Sequence, residues 1–462
     1  MAWGVTVTDR RRGGRAGGAS GAPSTQEDTR RTEAEDPATG GAEPSGPSRV
    51  SWTVARSPRS RTLRHVTITA LAVAAGSACH RDVVWHAPVA PVRTVGGGVL
   101  AAPPPEASAF PPAAHEASAV RWMQGPAGDR ARLERWRAGV GPVVVYRPDS
   151  MGPPPGAAAL RDLPVVSWNT NVGGGDLDGL VDDLRSGRLT DGDSVAHFVL
   201  LLQEVFRRGP AVPRGLADRP RRIAALPPRG PRSDVVEVAR RHGLFLFYVP
   251  SMANGWEADG DQAEDRGNAI VSTIPLAGLT AIELPFEGQR RVAASAIVPG
   301  DGEAGHAPPL RVVSVHLDNR SVLRRVYRSF GSGRTRQAEA LASALARDPA
   351  ADLPTVLAGD LNTWGPSAWE RAVNVLRAHF PQGSALNVPT FAGRSLMVGR
   401  TLDHMMFRLP VPRATSQRPS GPSAGKTERR AAFVPPLPVR LDDARGSDHY
   451  PLLARLLVGD GG

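Results

Sequence analysis

The sequence predicts an α/β domain built in layers over residues 161–458, and three observations predict it. From Asp162 to about Val458, short apolar runs alternate with turn residues. Segments with helical apolar spacing stand between those runs, so strands and helices interleave as they do where helices cover a sheet. Polar and ionisable residues recur at the ends of the runs, where a rigid sheet carries reactive groups on its loops.

The first strand is expected at 165–168, in "VVSWNTN", and it ends at Asn169 and Asn171. A helix over 177–184 follows, with apolar residues at Leu177, Leu180, Val181 and Leu184. The second strand, 198–202 in "VLLLQE", delivers Gln203 and Glu204 to its end. Basic, proline-rich 207–232 reads as a loop. A helix over 234–241 leads to strands at 244–249, 269–272, 292–298 and 310–315, the last closing in "VVSVHLDN" with His316. After a helix over 335–345, the strand 355–358 in "TVLAGDLNT" presents Asp360 and Asn362. A helix over 368–376 precedes "TLDHMMF", which begins with Asp403, and "GSDHYPL" sets Asp448 and His449 before a final strand at 451–457. Six strand termini thus carry carboxylates, imidazoles or amides.

The N-terminal third has a different texture. Residues 1–60 are rich in Gly, Ser, Pro, Arg and acids, lack apolar periodicity and are expected to be disordered. Residues 61–79 join a basic stretch, Arg61 to His65, to the apolar run "VTITALAVAAGSA" and then Cys79. That is the build of an export signal, too short for a comfortable membrane span. It resembles a bacterial lipoprotein signal, in which the cysteine is lipidated, although Gly76 stands where leucine is usual. The resemblance implies an exported protein: a periplasmic or cell-surface lipoprotein held to the membrane through Cys79, or a secreted one. A linker cysteine behind an apolar segment is the plainer reading of the same residues. A start codon placed too far upstream would account for residues 1 to about 49. Residues 80–160 read as a linker with short ambiguous elements: "GGG", "PPP" and "FPPAA", then a charged helix in "DRARLERWRAG" and a strand in "PVVVYRP".

Composition narrows the chemistry. A formal charge of +11 suits a polyanionic partner, yet Lys426 is the only lysine, so the excess equally describes a solvated arginine surface. One cysteine excludes an internal disulfide framework and any multi-cysteine zinc site.

The residue types at the six termini support metal-assisted hydrolysis of a phosphate ester. Carboxylate oxygens bind a hard cation such as Mg²⁺, and neutral amides donate to phosphate oxygens without adding charge. A histidine oriented by a carboxylate can take a proton from water or stabilise transition-state charge, and Asp403 with His449 is such a pair.

The ordered series "SWNTN", "LQE", "RGNAIVST", "SVHL", "GDLNT", "LDH" and "SDHYPL" resembles the endonuclease/exonuclease/phosphatase superfamily. The resemblance implies a four-layer sandwich of two mixed β-sheets flanked by helices, with the site at one edge. It implies Glu204 as principal metal ligand, Asn169 and Asp448 in or near the metal shell, and Mg²⁺ as the ion, with Mn²⁺ an alternative. It further implies His449 as the catalytic histidine, Asp403 as its orienting acid, Asp360 at the nucleophile or leaving group, and Asn362 and His316 on the scissile phosphate. Asn171, Asn268 and Arg291 would be phosphate contacts, although Asn268 also suits a turn into a strand and Arg290 adjoins Arg291. His404 would face the opposite side of a strand from Asp403 and is read as structural.

The expected activity is that of a phosphodiesterase, nuclease-like, acting as a monomer on nucleic acid or phospholipid. The alternatives are a phosphomonoesterase for inositol- or lipid-linked phosphate, a sphingomyelinase-like enzyme, and a catalytically inactive binding module. Disulfide-bearing deoxyribonucleases are disfavoured by the single Cys79, and Trp256 alone hints at a membrane loop.

Overall fold

The structure is a computed structural model that describes residues 92–95, 120–124, 130–148, 161–213, 221–222, 232–254, 263–300, 307–319, 332–363, 370–383, 388–393, 400–410, 432–434 and 436–459. The signal-like segment with Cys79, the expected disorder of 1–60, and Trp256 lie outside the described residues. Every described residue belongs to the unit His80–Gly462.

In chain order the elements are β1 (Val92–Val95), β2 (Arg121–Gln124), α1 (Arg130–Ala138), β3 (Val143–Tyr146), β4 (Asp162–Asn169), α2 (Leu177–Arg185), β5 (Val199–Arg208), β6 (Arg221–Arg222), α3 (Val235–His242), β7 (Phe245–Asn254), β8 (Glu264–Ser272), β9 (Ala277–Glu283), β10 (Val292–Val298), β11 (Leu310–His316), α4 (Ser332–Arg347), β12 (Thr355–Asp360), α5 (Arg371–His379), β13 (Asp403–Arg408), β14 (Ala432–Val434), β15 (Val439–Arg440) and β16 (Leu452–Gly459). Ten strands form one mixed sheet, ordered β1-β3-β7-β8-β5-β4-β16-β14 with β15 on β16 and β6 on β7. Six form the other, ordered β13-β12-β11-β10-β9-β2.

Strand alternation assigns the layers. In β4, Leu163 and Val165 enter the core between the sheets, while Val166 and Trp168 face the α2 and α3 side. In β11 and β12, Val312, Val356 and Ala358 face inward, and Val313, Val315 and Leu357 pack against α4 and α5. Both faces of these strands are covered, which explains their continuous apolar runs. The result is the expected four layers: helices, sheet, sheet, helices.

The helices follow from caps and spacing. Asp176 caps α2 by accepting from the Gly179 amide, and Leu177, Leu180, Val181 and Leu184 are buried along one face. Asp234 accepts the Val236 and Glu237 amides at the start of α3, and Gly243 ends that helix at φ 60°.

The domain boundary expected at 161 moves toward the N-terminus. β2 adds in parallel to β9, and β3 adds antiparallel to β7, so the segment expected as a linker supplies a strand to each sheet. Uncovered sheet edges leave unpaired backbone groups, and this segment satisfies them. Buried charge fixes it in place. Asp265 accepts from the Gly141 amide at 2.7 Å, the Tyr248 hydroxyl at 2.8 Å and the Arg207 guanidinium, and Glu283 pairs with Arg137 and Arg290. The loop expected from 207 also begins later, because Arg207 and Arg208 continue β5 opposite Asp265 and Glu264 of β8.

Candidate active site

The inward-facing residues of β4, β11, β12 and β13 are apolar along most of each strand and turn polar at one end. Asn169 pairs with Gln203, His316 with Asp360, and Asp360 with Asp403 in the strand registers. One open end of the sandwich therefore collects polar side chains from both sheets, since a period of two keeps them on the inner face occupied by their apolar predecessors. Asn169 Nδ2 crosses between the sheets to donate to Asp360 Oδ2 at 2.9 Å.

Glu204 departs from that alternation, and the backbone shows how. The β5 to β8 register slips between Leu202 and Val205, and Glu204 has φ 52°. A bulge of this kind re-aims one side chain. Glu204 Oε1 thereby stands 3.9 Å from His316 Nδ1, and Oε2 stands 3.6 Å from Arg266 Nη1. Asn171 and Asn362 also adopt positive φ, at 49° and 52°. Such conformations for residues other than glycine cluster at functional sites. Gly359, just before Asp360, has φ 151°, and a Cβ there would lie 1.8 Å from the Val315 carbonyl oxygen.

The centre of the site is a buried chain of acids and imidazole. His449 Nδ1 donates to Asp403 Oδ2 at 2.8 Å, while Nε2 faces Asp360 Oδ2 at 3.8 Å and Asp448 Oδ1 at 3.9 Å. Burial by itself would lower the His449 pKa, but the charges of Asp403, Asp360 and Asp448, with the Asp403 hydrogen bond, raise it to about 10. Burial pushes Asp360 up to about 7, and Asp403 adds to that, against His449, the Asn362 amide and the Asn169 side chain. Asp448 is raised as well, first by burial and also by Glu204, with His449 opposing.

Asn362 and His316 form the second group. Asn362 Nδ2 donates to the Leu317 carbonyl at 2.9 Å and stands 2.9 Å from His316 Nε2. The same Nε2 stands 3.3 Å from Asp360 Oδ2, and Nδ1 faces Glu204. Asn362 thus sets its amide against the His316 ring. The Asn268 amide donates to the Val292 and Ser314 carbonyls at 2.8 and 3.4 Å and ties β8 to the other sheet. Gln203 is a second tie, to Ser314 Oγ at 3.0 Å. Asn171 lies beside the site, its backbone amide donating to Asn169 Oδ1 at 3.0 Å. Arg290 is committed to Glu283 and to the Pro250 and Ser251 carbonyls, and Arg291 is buried one residue before β10. His404 faces away from the site, with Nε2 3.0 Å from Thr363 Oγ1 and a pKa lowered to about 4 by burial.

Several residues around the site had no counterpart in the sequence reading. Phe391 meets the His449 ring edge-on at 5.2 Å, Trp168 Nε1 donates to the His449 carbonyl at 3.0 Å, and Ser447 Oγ donates to the Asn169 carbonyl at 2.6 Å. Thr390 Oγ1 accepts the Leu402 and Asp403 amides. No periodic pattern marks 388–393. Arg266 did carry a signal, since it opens the "RGNAIVST" stretch.

A hard divalent cation fits the donor set. Among the described residues, Asp360, Asp403 and His449 bring ligand-type atoms within 4.8 Å of one another, but the last two are spent on each other. Glu204 and Asp448 supply oxygen donors beside them, and the rise in the Asp448 pKa caused by burial and Glu204 marks crowded negative charge that a cation relieves.

Residues 166–449 match the endonuclease/exonuclease/phosphatase family. No curated protein matches the chain. Among solved structures it is similar to an endonuclease/exonuclease/phosphatase from Beutenbergia cavernae, at 20% identity and TM-score 0.39 over 65% of this chain and 72% of that one. The human Nocturnin catalytic domain is similar at 15% identity and TM-score 0.37, over 65% of this chain and 95% of that one. D. rerio TDP2 complexed with single-strand DNA product is similar at 17% identity and TM-score 0.34, over 64% and 98%.

Proposed function

The chain belongs to the endonuclease/exonuclease/phosphatase family, whose members hydrolyse phosphate esters, and from that premise we propose that it is a Mg²⁺-dependent phosphodiesterase. The observation that carries this reading is the buried Asp403–His449–Asp360 chain at the open end of the sandwich, next to Glu204 and Asp448.

Glu204 and Asp448, with Asn169 adjoining, would hold the cation, which supplies charge neutralisation at the phosphate when bound. The protein's own groups do the rest. Asp403 keeps His449 charged and aims its Nε2–H at the phosphoryl oxygens, where negative charge gathers as water attacks phosphorus. Asp360, whose carboxyl sits near neutrality, accepts the proton of the attacking water. Asn169 orients Asp360, and Asn362 orients His316 toward the phosphate. Asn171 and Arg291 are proposed contacts for the ester's flanking groups. A diester suits three clustered carboxylates better than a monoester, which carries roughly twice the negative charge at neutral pH.

Nucleic acid and phospholipid are both substrate candidates. Hydrolysis of a nucleic acid, sphingomyelin, a phosphoinositide and a simple diester, with and without Mg²⁺ or Mn²⁺, tests the reading. Cleavage of monoesters alone would overturn it. Export through residues 61–79, with lipid on Cys79, is part of the proposal. Intact-mass analysis of protein from its native host would show a chain beginning at Cys79, and retention of residues 1–78 would reject it.

A further inference from the structure

The Asp403–His449 pair joins residues 46 positions apart in sequence, and the segment that bridges their backbones is 390–392. Thr390 is fully buried. Its hydroxyl oxygen accepts two consecutive amides, from Leu402 at 2.9 Å and from Asp403 at 3.0 Å, which uses both lone pairs. Its carbonyl accepts the Tyr450 amide at 2.8 Å, and the Ala392 amide donates to the Asp448 carbonyl at 2.7 Å. Those two bonds flank an antiparallel bridge between Phe391 and His449, and the Phe391 ring stands at 80° to the imidazole. One short crosspiece thus holds the backbone of the acid through a side chain and the backbone of the imidazole through the main chain.

We propose that Thr390 is a positioning residue for the Asp403–His449 pair, its hydroxyl setting the direction of the Asp403 carboxylate and its main chain setting the height of the His449 ring. The inference rests on the catalytic role assigned above to His449. The physical reason lies in where Asp403 sits. It is the first residue of β13, and its backbone amide bonds to Thr390 Oγ1, so this side chain fixes the start of the strand. Small displacements of a catalytic pair are costly because proton-transfer and electrostatic geometry are narrow.

Thr390→Val keeps the shape of the side chain and removes the acceptor, and Thr390→Ser keeps the acceptor and removes a methyl group. With bis(p-nitrophenyl) phosphate and saturating Mg²⁺, Thr390→Val should lower kcat by at least about tenfold with KM nearly unchanged. Thr390→Ser should restore most of it. In protein carrying isotope-labelled histidine, the downfield Nδ1 proton of His449 should move upfield in Thr390→Val and stay in place in Thr390→Ser. Equal losses in the two variants, or an unmoved imidazole resonance in Thr390→Val, would overturn the inference. The resonance reads the pair without turnover. If the unsubstituted protein cleaves no diester, the proposed activity fails while the assignment of Thr390 is still decided. Should Thr390→Val not fold, Thr390→Ala with Thr390→Ser carries the same comparison.

Discussion

Replacing Asp403 with asparagine isolates what the carboxylate does for His449. The pair is buried, with side-chain exposures of 2% for Asp403 and 6% for His449, and it is joined at 2.8 Å. Asparagine can still accept from Nδ1 through its own oxygen, but it brings no charge to hold the imidazolium. Its amide nitrogen would then occupy the place of Asp403 Oδ1, a buried atom with no hydrogen-bond partner. An unsatisfied buried donor costs roughly 1–3 kcal/mol of stability, so turnover must be measured well below the melting temperature of the variant. Breaking a buried ion pair costs about 3–5 kcal/mol. At about 1.4 kcal/mol per decade, and with that loss falling on the transition state, Asp403→Asn should lower kcat by roughly two to three and a half decades. His449→Ala should lower kcat by at least roughly a hundredfold with far less change in KM. The two residues act as one unit, so the double variant should lose little more than the worse single one. Rates on a phosphodiester with saturating Mg²⁺ give the cycle. Fully additive losses would show that Asp403 does not work through His449, and near-normal turnover in His449→Ala would remove the mechanism.

Three further outcomes follow from other parts of the fold. Glu204→Gln should weaken metal binding by about tenfold or more and reduce activity with it, read by calorimetric titration of Mg²⁺ or Mn²⁺; an unchanged titration would exclude Glu204 as a ligand. Glu283→Gln strips the buried carboxylate from the buried Arg290 and the partly exposed Arg137, and the break with Arg290 should cost about 3–5 kcal/mol in urea unfolding. Burial raises the Glu283 pKa, but Arg290 and Arg137 hold it below its usual value. The stability from this depression is therefore present above about pH 4.5, the unfolded range, and is lost as pH falls through the folded value. The intact protein should lose stability on acidification more steeply than Glu283→Gln. Removal of residues 1–160 should give an aggregating or unfolded product, whereas removal of residues 1–91 should leave a cooperative melt, because only the first deletion uncovers both sheet edges.

Alternating and periodic residues determined much of this protein before any coordinates. Short apolar runs at 165–168 and 310–315 and apolar spacing at Leu177, Leu180 and Leu184 are local signals, legible because burial on both faces of a strand or one face of a helix is written directly into neighbouring residues. The polar ends of those strands named the site too, since the period that carries Val356 and Ala358 inward also carries Asp360 inward. The series of short motifs supplied the family, and Asn169, His316, Asp360, Asn362, Asp403, Asp448 and His449 from it stand together at one end of the sandwich. What only the tertiary structure decided concerns contacts between distant segments. The bulge that turns Glu204 toward His316 depends on the β5 to β8 register. The amides of Asn268 and Asn362 meet carbonyls and a ring from other segments, partners that no local pattern announces. The segment carrying β2 and β3 reads as a linker with short ambiguous elements, a strand in "PVVVYRP" among them, but that it adds a strand to each sheet is not legible there, because such a strand is specified by the partner whose backbone it satisfies. Thr390 has no local signature either: its partners, Leu402, Asp403 and Tyr450, meet it only once the chain has folded, since hydrogen bonds are set by distance in space and not in sequence.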